Sequence, residues 1–514
     1  MSPPEESIEK GVAREAWITR MGFIFAVWGS MTGLGNVWNW PYRVSSLGGG
    51  PFVIIYIIML ALVGIPVVLT EFVLGSTTRR GFPGALKRIN KSGEFLGWFC
   101  LANAAMLTAF YCVIIGWSVI YVGYAAVPGL TLDGPLGPST FTDQPGFFVN
   151  LMYSPILLVG LVAVWLIIFI IDYFGTRGIE RAVMLFFPIL WVIIIGMAIW
   201  AFLLPGASAG LNFYLNPDPA QFLNTEMWST AVSLSFFKLS AGMGILTAYA
   251  SYLPRKGELT NSAITTSLLD TTYAFTAGLA IFPIAAFAGL LAAPPGASTV
   301  GFAFIAWPGA MVFPGGNILG VVFFLMVVFL GITSAVSLVE GIVTAVIDKF
   351  GWPRSRTVIS VVLLIFLMGL PFINWLEAPG LAGAVDVSWG LFLLDVVDYY
   401  VEFYGLVIVA LFMMLIMGWV YGGGKIVNDA NESGDFKLPN WYQLFIKIVS
   451  PIGIIIAFGF IIFNNFILGT ASIGAGFNPG IYGAGTGFEI LIPGLWIAIL
   501  LVAAFILWRL KGVD

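Results

Sequence analysis

The sequence predicts an all-α membrane protein of about twelve transmembrane helices, a 5+5 inverted repeat with broken helices 1 and 6. Three observations predict it: charge is scarce, long apolar stretches recur along the chain, and nearly all basic residues fall on one side. Of 514 residues, 59% are hydrophobic and 9% charged. A soluble domain carries about 25% charged residues. So few charges cannot cover a water-exposed surface, so lipid is the solvent for much of this chain. The net charge of −4 gives no basis for a nucleic-acid partner. Histidine is absent, which removes the commonest metal ligand and the usual neutral-pH proton shuttle. The two cysteines, Cys100 and Cys112, share one apolar segment and read as small buried hydrophobes, not a disulfide or zinc pair.

A spanning helix needs about 20 mostly apolar residues. Candidate spans 1 to 12 cover 17–43, 51–77, 95–127, 149–174, 179–204, 226–252, 259–293, 317–349, 355–376, 390–420, 441–470 and 487–510. They are read as one transporter domain, 1–513, with repeats at 12–205 and 226–420 and two trailing helices within 440–511. The polar start, Met1 to Gly11, and the long first span do not read as a cleavable signal.

The basic residues test this count independently. Lys10, Arg14 and Arg20 lie at the start; Arg79, Arg80, Lys87, Arg88 and Lys91 follow span 2. Arg177 and Arg181, Arg255 and Lys256, then Lys349, Arg354 and Arg356 follow spans 4, 6 and 8. Lys425, Lys437 and Lys447 follow span 10, and Arg509 and Lys511 close the chain. That is 20 of the 22 Lys and Arg, all on one side if the helices alternate. The positive-inside rule makes that side cytoplasmic, with both termini inside a plasma membrane. The opposite loops hold Asp133, Asp143, Asp218, Glu377 and Asp386. The two exceptions are Arg43, near the outer end of span 1, and Lys238, in the middle of span 6.

Span 1 is interrupted by Gly29-Ser-Met-Thr-Gly33-Leu-Gly35-Asn36, and span 6 by Ser240-Ala-Gly242-Met-Gly244. Glycine is costly inside a helix. Irregular backbone at mid-membrane survives only where it is packed in protein or lines a cavity. Clusters five spans apart suit an inverted repeat with the solute bound between the halves; close packing through small residues is the plainer alternative. Charges inside the bilayer cost about 2.5–3.5 kcal/mol each on insertion scales and are functional suspects. They are Glu71, Lys238, Asp270 and Glu340. For Glu340 the sequence offers no partner. Thr333-Ser334 after Gly331, with carbonyls of an unwound helix, suits a hard cation. Such hydroxyls also bond back to their own helix.

On these residues the chain resembles the neurotransmitter:sodium symporters, especially their prokaryotic amino-acid transporters. The matching motifs are Arg14-Glu15-Ala16-Trp17, Gly33-Leu34-Gly35-Asn36-Val37-Trp38 with Pro41-Tyr42, and Gly48-Gly49-Gly50-Pro51-Phe52. Gly64-Ile65-Pro66 with Glu71, Tyr249-Ala250-Ser251-Tyr252 and Gly331-Ile332-Thr333-Ser334 complete them. The resemblance implies sodium as the coupled ion, with no organic cofactor. Its ligands would be carbonyls of Gly29, Thr32 and Leu330 with side chains of Thr333 and Ser334. It implies a substrate pocket of Ser30, Met31, Gly33, Leu34, Gly35, Leu107, Tyr111, Phe237, Ser240, Met243, Ser334 and Leu338. Tyr111 would bond a substrate carboxylate and Phe237 would cap the site. Gly33 stands where monoamine transporters place an aspartate, which implies amino acids as substrates. Glu71 would accept hydrogen bonds from unwound backbone. Arg14 and Asp348, near Tyr252, would close the cytoplasmic side. Gly178 and Pro188 would permit local unwinding of span 5, admitting water to a sodium ion.

Two features depart from the family pattern. Where the family places a threonine and an asparagine at a first sodium site beside Asn36, this chain has Lys238 and Asp270. The expectation is that the Lys238 ammonium takes that ion's place beside the substrate and pairs with Asp270, since opposite charges in low dielectric hold each other ionised. Coupling then falls to about one sodium, and Asp270 replaces chloride, because the neighbouring acidic position of other prokaryotic members is Ala274. The alternative is that Asp270 binds sodium directly. At the outer gate the family's arginine is Asn39 here, facing an acid of span 10: Asp398, with Asp395 one turn away. Arg43 either substitutes for that arginine or snorkels to the headgroups.

The reading is therefore sodium-coupled symport of a small neutral amino acid, chloride-independent. Its competitors are a proton-coupled or sodium-independent carrier of an amino acid, taurine or an ω-amino acid that uses Lys238, since a buried lysine shifts its protonation readily, and a non-transporting solute sensor. An enzyme is disfavoured for want of a nucleophile and base. Monomer and homodimer both stay open.

Overall fold

The computed structural model describes residues 16–127, 144–253, 257–287, 289, 291, 303–304, 307–310, 316–373, 389–432, 436–463 and 488–513. Arg14, Arg255, Lys256 and the loop acids Asp133, Asp143, Glu377 and Asp386 lie outside these residues, as does the side chain of Asp395. Every regular element among the described residues is helical.

Nine of these helices are long and apolar enough to cross a membrane. They are Gly50–Thr78, Gly93–Ala126, Ile156–Tyr173, Gly175–Phe202, Leu259–Phe287, Gly316–Phe350, Arg354–Phe372, Val396–Asn431 and Asn440–Ile462, which answer to spans 2 to 5 and 7 to 11. Spans 1 and 6 fall short because each is broken, and span 12 is Phe488–Arg509. Burial sorts the bundle. The apolar window of span 3 is 83% buried, whereas those of spans 5, 9 and 11 are 33% buried. Span 3 is therefore the centre and the others are the rim. Their outward residues, Val192, Leu203, Leu363 and Ile455 among them, are apolar, as a lipid-facing surface requires.

Span 1 is a helix over Arg20–Met31, a non-helical stretch, a π-helical turn over Gly35–Asn39 and a second helix over Trp40–Ser46. At Thr32 the backbone leaves the helix, with φ −85° and ψ 77°. The start of span 1 is held by Glu180 of span 5, whose carboxylate accepts the Ile18 N–H at 3.0 Å and the Thr19 hydroxyl at 2.6 Å. Span 6 is Thr225–Lys238 and Ile245–Ser251. Between them Gly242 has φ +73° and Gly244 φ +76°, values that side chains with a Cβ rarely adopt. Ser240 shares the left-handed region at φ +53°.

Span 5 is continuous through Gly178 and Pro188, over Gly175–Phe202. Span 10 differs from expectation. Span 10 runs on past 420 to Asn431, through π-helical stretches at Val401–Leu406 and Ile416–Gly422. At Gly422 the backbone leaves the helix, with φ +107° and ψ 117°, and Gly423–Asn431 continues as a separate helical segment.

Candidate binding site between the broken spans

The two breaks face each other across a cavity of about 320 Å³, lined by Ser30, Met31, Gly33, Gly35, Leu107, Tyr111, Phe237, Lys238, Ser240, Met243, Ile245, Ser334 and Leu338. Of the expected pocket residues only Leu34 is absent from this lining. Its N–H donates to the Tyr111 hydroxyl at 2.9 Å, and its side chain borders a second cavity further out. Ile245 joins the wall unforeseen. Backbone as well as side chains fix the shape. Ser240 Oγ donates to the Ser30 carbonyl at 2.6 Å, tying one break to the other. A Cβ on Gly33 would lie 2.4 Å from Ser334 Oγ and 2.5 Å from the Tyr111 hydroxyl oxygen. A side chain there would force Ser334 or Tyr111 to shift.

Lys238 and Asp270 meet as an ion pair, Nζ to Oδ2 at 3.3 Å, with both side chains fully buried. The aspartate's other oxygen accepts Asn36 Nδ2 at 2.6 Å and Thr32 Oγ1 at 3.2 Å. The ammonium also lies 4.6 Å from the ring centroids of both Trp40 and Tyr56, within range of the attraction of a cation for an aromatic face. One carboxylate and two π-faces thus enclose it, while the stem of Lys238 contributes to the cavity wall. Sequence reasoning missed Trp40 and Tyr56.

Two of the expected sodium ligands, Gly29 and Ser334, meet where spans 1 and 8 touch. Ser334 Oγ lies 3.2 Å from the carbonyl oxygens of Gly29 and Ser30. Thr333 Oγ1 donates to the Leu330 carbonyl at 2.9 Å. Oxygens of spans 1 and 8 therefore crowd one buried spot. The donor set is all oxygen and uncharged, a chemistry that fits an alkali cation better than a transition metal.

Toward the acidic end, Phe237 and Tyr111 separate the main cavity from the second one, about 310 Å³, which Asn39, Phe110, Ile114 and Asp398 also line. The acid that Asn39 bonds is Glu402, not the expected Asp398: Asn39 Nδ2 lies 3.4 Å from both Glu402 oxygens. Asp398 and Glu402 are four residues apart and so share one helix face; Asp398 lines the second cavity beside Asn39. Arg43 turns inward. Its Nε donates to Asn39 Oδ1 at 3.1 Å and its guanidinium sits 5.3 Å from the Phe403 ring centroid.

At the basic end, Asp348 Oδ2 accepts the Gly81 N–H at 2.6 Å, with Arg80 at 4.0 Å. The Tyr252 hydroxyl bonds Glu340 Oε1 at 2.6 Å and Thr344 Oγ1 at 2.5 Å. Glu340 has the partner the sequence did not supply: Arg354, at 2.5 Å. Arg354 also donates to the Asp172 carbonyl. Trp17 Nε1 donates to the Tyr249 carbonyl at 3.0 Å, pinning the start of span 1 to span 6. Cys100 and Cys112 are both free and buried.

Two facing broken helices around a largely apolar cavity with a few polar groups, inside a bundle whose rim is apolar, are the architecture of a membrane transporter. Comparison with known proteins makes the class specific: residues 14–130 and 151–504 match the Sodium:neurotransmitter symporter family, and the chain belongs to that family. It is 36% identical over 457 residues to an uncharacterized sodium-dependent transporter of Methanocaldococcus jannaschii, covering 85% of this chain and 88% of that one. It is 25% identical over 503 residues to the human sodium- and chloride-dependent taurine transporter, covering 88% and 78%. Among solved structures, MhsT in complex with L-phenylalanine matches with a TM-score of 0.73 and 30% identity, over 87% of this chain and 99% of that one. The protein is a sodium-dependent transporter by family, not an enzyme.

Proposed function

We propose that this protein imports a small neutral amino acid by alternating access, driven by about one sodium ion and without chloride. It works as one transporter domain, 1–513, whose five-helix halves close on the solute, in the cell membrane with both termini cytoplasmic. The observation that carries the stoichiometry is the buried Lys238–Asp270 pair, 3.3 Å apart. Its ammonium stands in for a first sodium ion and its carboxylate for the balancing anion. The coupled sodium binds between Gly29, Thr32, Leu330, Thr333 and Ser334.

The cavity supports the substrate class. Leu107, Met243, Ile245 and Leu338 offer apolar walls to a neutral side chain, as in the relative that binds L-phenylalanine. Tyr111 is the carboxylate partner. Gly33, crowded by Ser334 and Tyr111, replaces the acid an amine substrate would need.

The test is the reversal potential of substrate flux in proteoliposomes under set sodium and membrane gradients. One sodium per neutral substrate is expected, unchanged when chloride is replaced by gluconate. Lys238→Thr should raise the sodium requirement. A ratio of two in the parent, or an unaltered sodium dependence in that variant, would sink the reading.

A further inference from the structure

Asp270 Oδ1 takes its two hydrogen bonds from opposite sides of the break in span 1. Thr32 Oγ1 donates at 3.2 Å from the end of the helix Arg20–Met31. Asn36 Nδ2 donates at 2.6 Å from within the π-helical turn Gly35–Asn39. The carboxylate therefore clamps the unwound segment at both ends, and Lys238 secures the carboxylate from its other oxygen. Thr32, Asn36, Lys238 and Asp270 are all buried, the most exposed at 1%, so water does not compete for these bonds.

Thr32 belongs to two sites at once. Its hydroxyl is bound to Asp270. Its N–H closes the helix on the Trp28 carbonyl at 2.7 Å. Its ψ of 77° then swings its own carbonyl out of the helical ladder, three residues beyond the Gly29 carbonyl that lies 3.2 Å from Ser334 Oγ. A β-branched side chain has few χ1 options, so the Asp270 bond locks its rotamer and, with the N–H held by the Trp28 carbonyl, anchors the residue at two points beside the swung-out carbonyl. Valine would fill the same space without the donor.

We infer that Thr32 is a positioning residue that couples the Lys238–Asp270 pair to the sodium site: its hydroxyl, held by Asp270, aims its carbonyl at the ion. The pair then does more than replace a first cation. It sets the affinity for the remaining one. This inference rests on the sodium reading of the Thr333–Ser334 oxygens given above.

The experiment titrates the purified full-length chain with sodium chloride at constant ionic strength, potassium making up the balance. The readout is thermal stability, with sodium-dependent uptake in proteoliposomes alongside. Losing one hydrogen bond to a charged acceptor is worth about tenfold in affinity. Thr32→Val should raise the half-saturating sodium concentration about tenfold, and Thr32→Ser should return it toward the parent value. In an Asp270→Asn background the valine substitution should shift it far less. A Thr32→Val protein that is less stable without sodium but keeps the parent sodium curve would overturn the inference, leaving the hydroxyl a purely structural bond. Thr333→Val separates the two readings. If it raises the sodium requirement while Thr32→Val does not, the sodium site stands and the coupling falls; if neither moves the curve, both fall. Should the valine variant fail to fold, Thr32→Ala, measured the same way, carries the test.

Discussion

Glu71 and Gly242 are joined across the break of span 6: the buried carboxylate accepts the glycine N–H at 2.7 Å. Its second oxygen lies 3.3 Å from the Thr247 hydroxyl. The break frees backbone groups that have no helical partner, and an unpaired buried donor costs about 1–3 kcal/mol. Glu71→Leu should therefore destabilise the protein by about that much. Glu71→Gln, which keeps one oxygen acceptor for Gly242, should lose less. Thermal denaturation of the purified variants in detergent measures the order. Equal losses would mean that the charge, not the acceptor, matters.

The ion pair carries a sign prediction. Removing one member of a buried pair strands the other, at about 3–5 kcal/mol. Lys238→Met should cost that much, because Asp270 is left fully buried with an unmatched charge. The double variant Lys238→Met with Asp270→Leu should recover much of the stability while still failing to transport, since both charges are absent from the site. A double-mutant cycle on thermal midpoints reads the coupling. A double variant that loses the sum of the two single losses would argue that the pair does not interact.

Gly33 is the tightest point of the cavity. Gly33→Ala places a methyl group against Ser334 Oγ and the Tyr111 hydroxyl at separations of 2.4 and 2.5 Å, closer than atoms tolerate. One side chain serves the proposed sodium site and the other the proposed carboxylate site, so both ligands should weaken together. Binding of labelled L-phenylalanine or another neutral amino acid, with and without sodium, is the measurement. A selective loss of substrate binding with the sodium effect intact would show that Ser334 can move out of the way.

Much of this site is legible in the sequence, for a definite reason. Lys238 and Asp270 are single charges in otherwise apolar stretches, and Gly29–Asn36 and Ser240–Gly244 are glycine clusters where helix is expected. Both signals stand out because the membrane makes them costly. Trp40 and Tyr56 were not legible. With 44 Phe, 17 Tyr and 18 Trp in the chain, an aromatic residue carries no information until its neighbours are known. Glu402 was missed for a geometric reason. Asp398 and Glu402 stand four residues apart on one helix face, so the sequence does not say which of the two reaches Asn39. The partner of Glu340 was hidden because Arg354 reads as one more basic-loop residue.

That last pair yields the prediction with the widest structural reach. Arg354 donates to Glu340 of span 8 through two nitrogens and to the Asp172 carbonyl at the end of span 4 through two bonds. Glu340 in turn accepts from Tyr252, at the end of span 6. One planar guanidinium thus ties four spans at the basic end, which a lysine's single ammonium cannot reproduce. Arg354→Lys should therefore lose function nearly as fully as Arg354→Ala. Arg354→Ala should also destabilise the fold by about 3–5 kcal/mol, because the Glu340 side chain is fully buried and left unpaired. Arg354→Ala with Glu340→Gln should regain stability but not coupled transport, since the Asp172 carbonyl still loses its donor and span 4 its tie to span 9. Thermal midpoints and sodium-driven uptake, measured on the same four preparations, separate the two effects. A double variant that regains both would reduce this knot to a charge-neutralising pair with no part in closing the basic end.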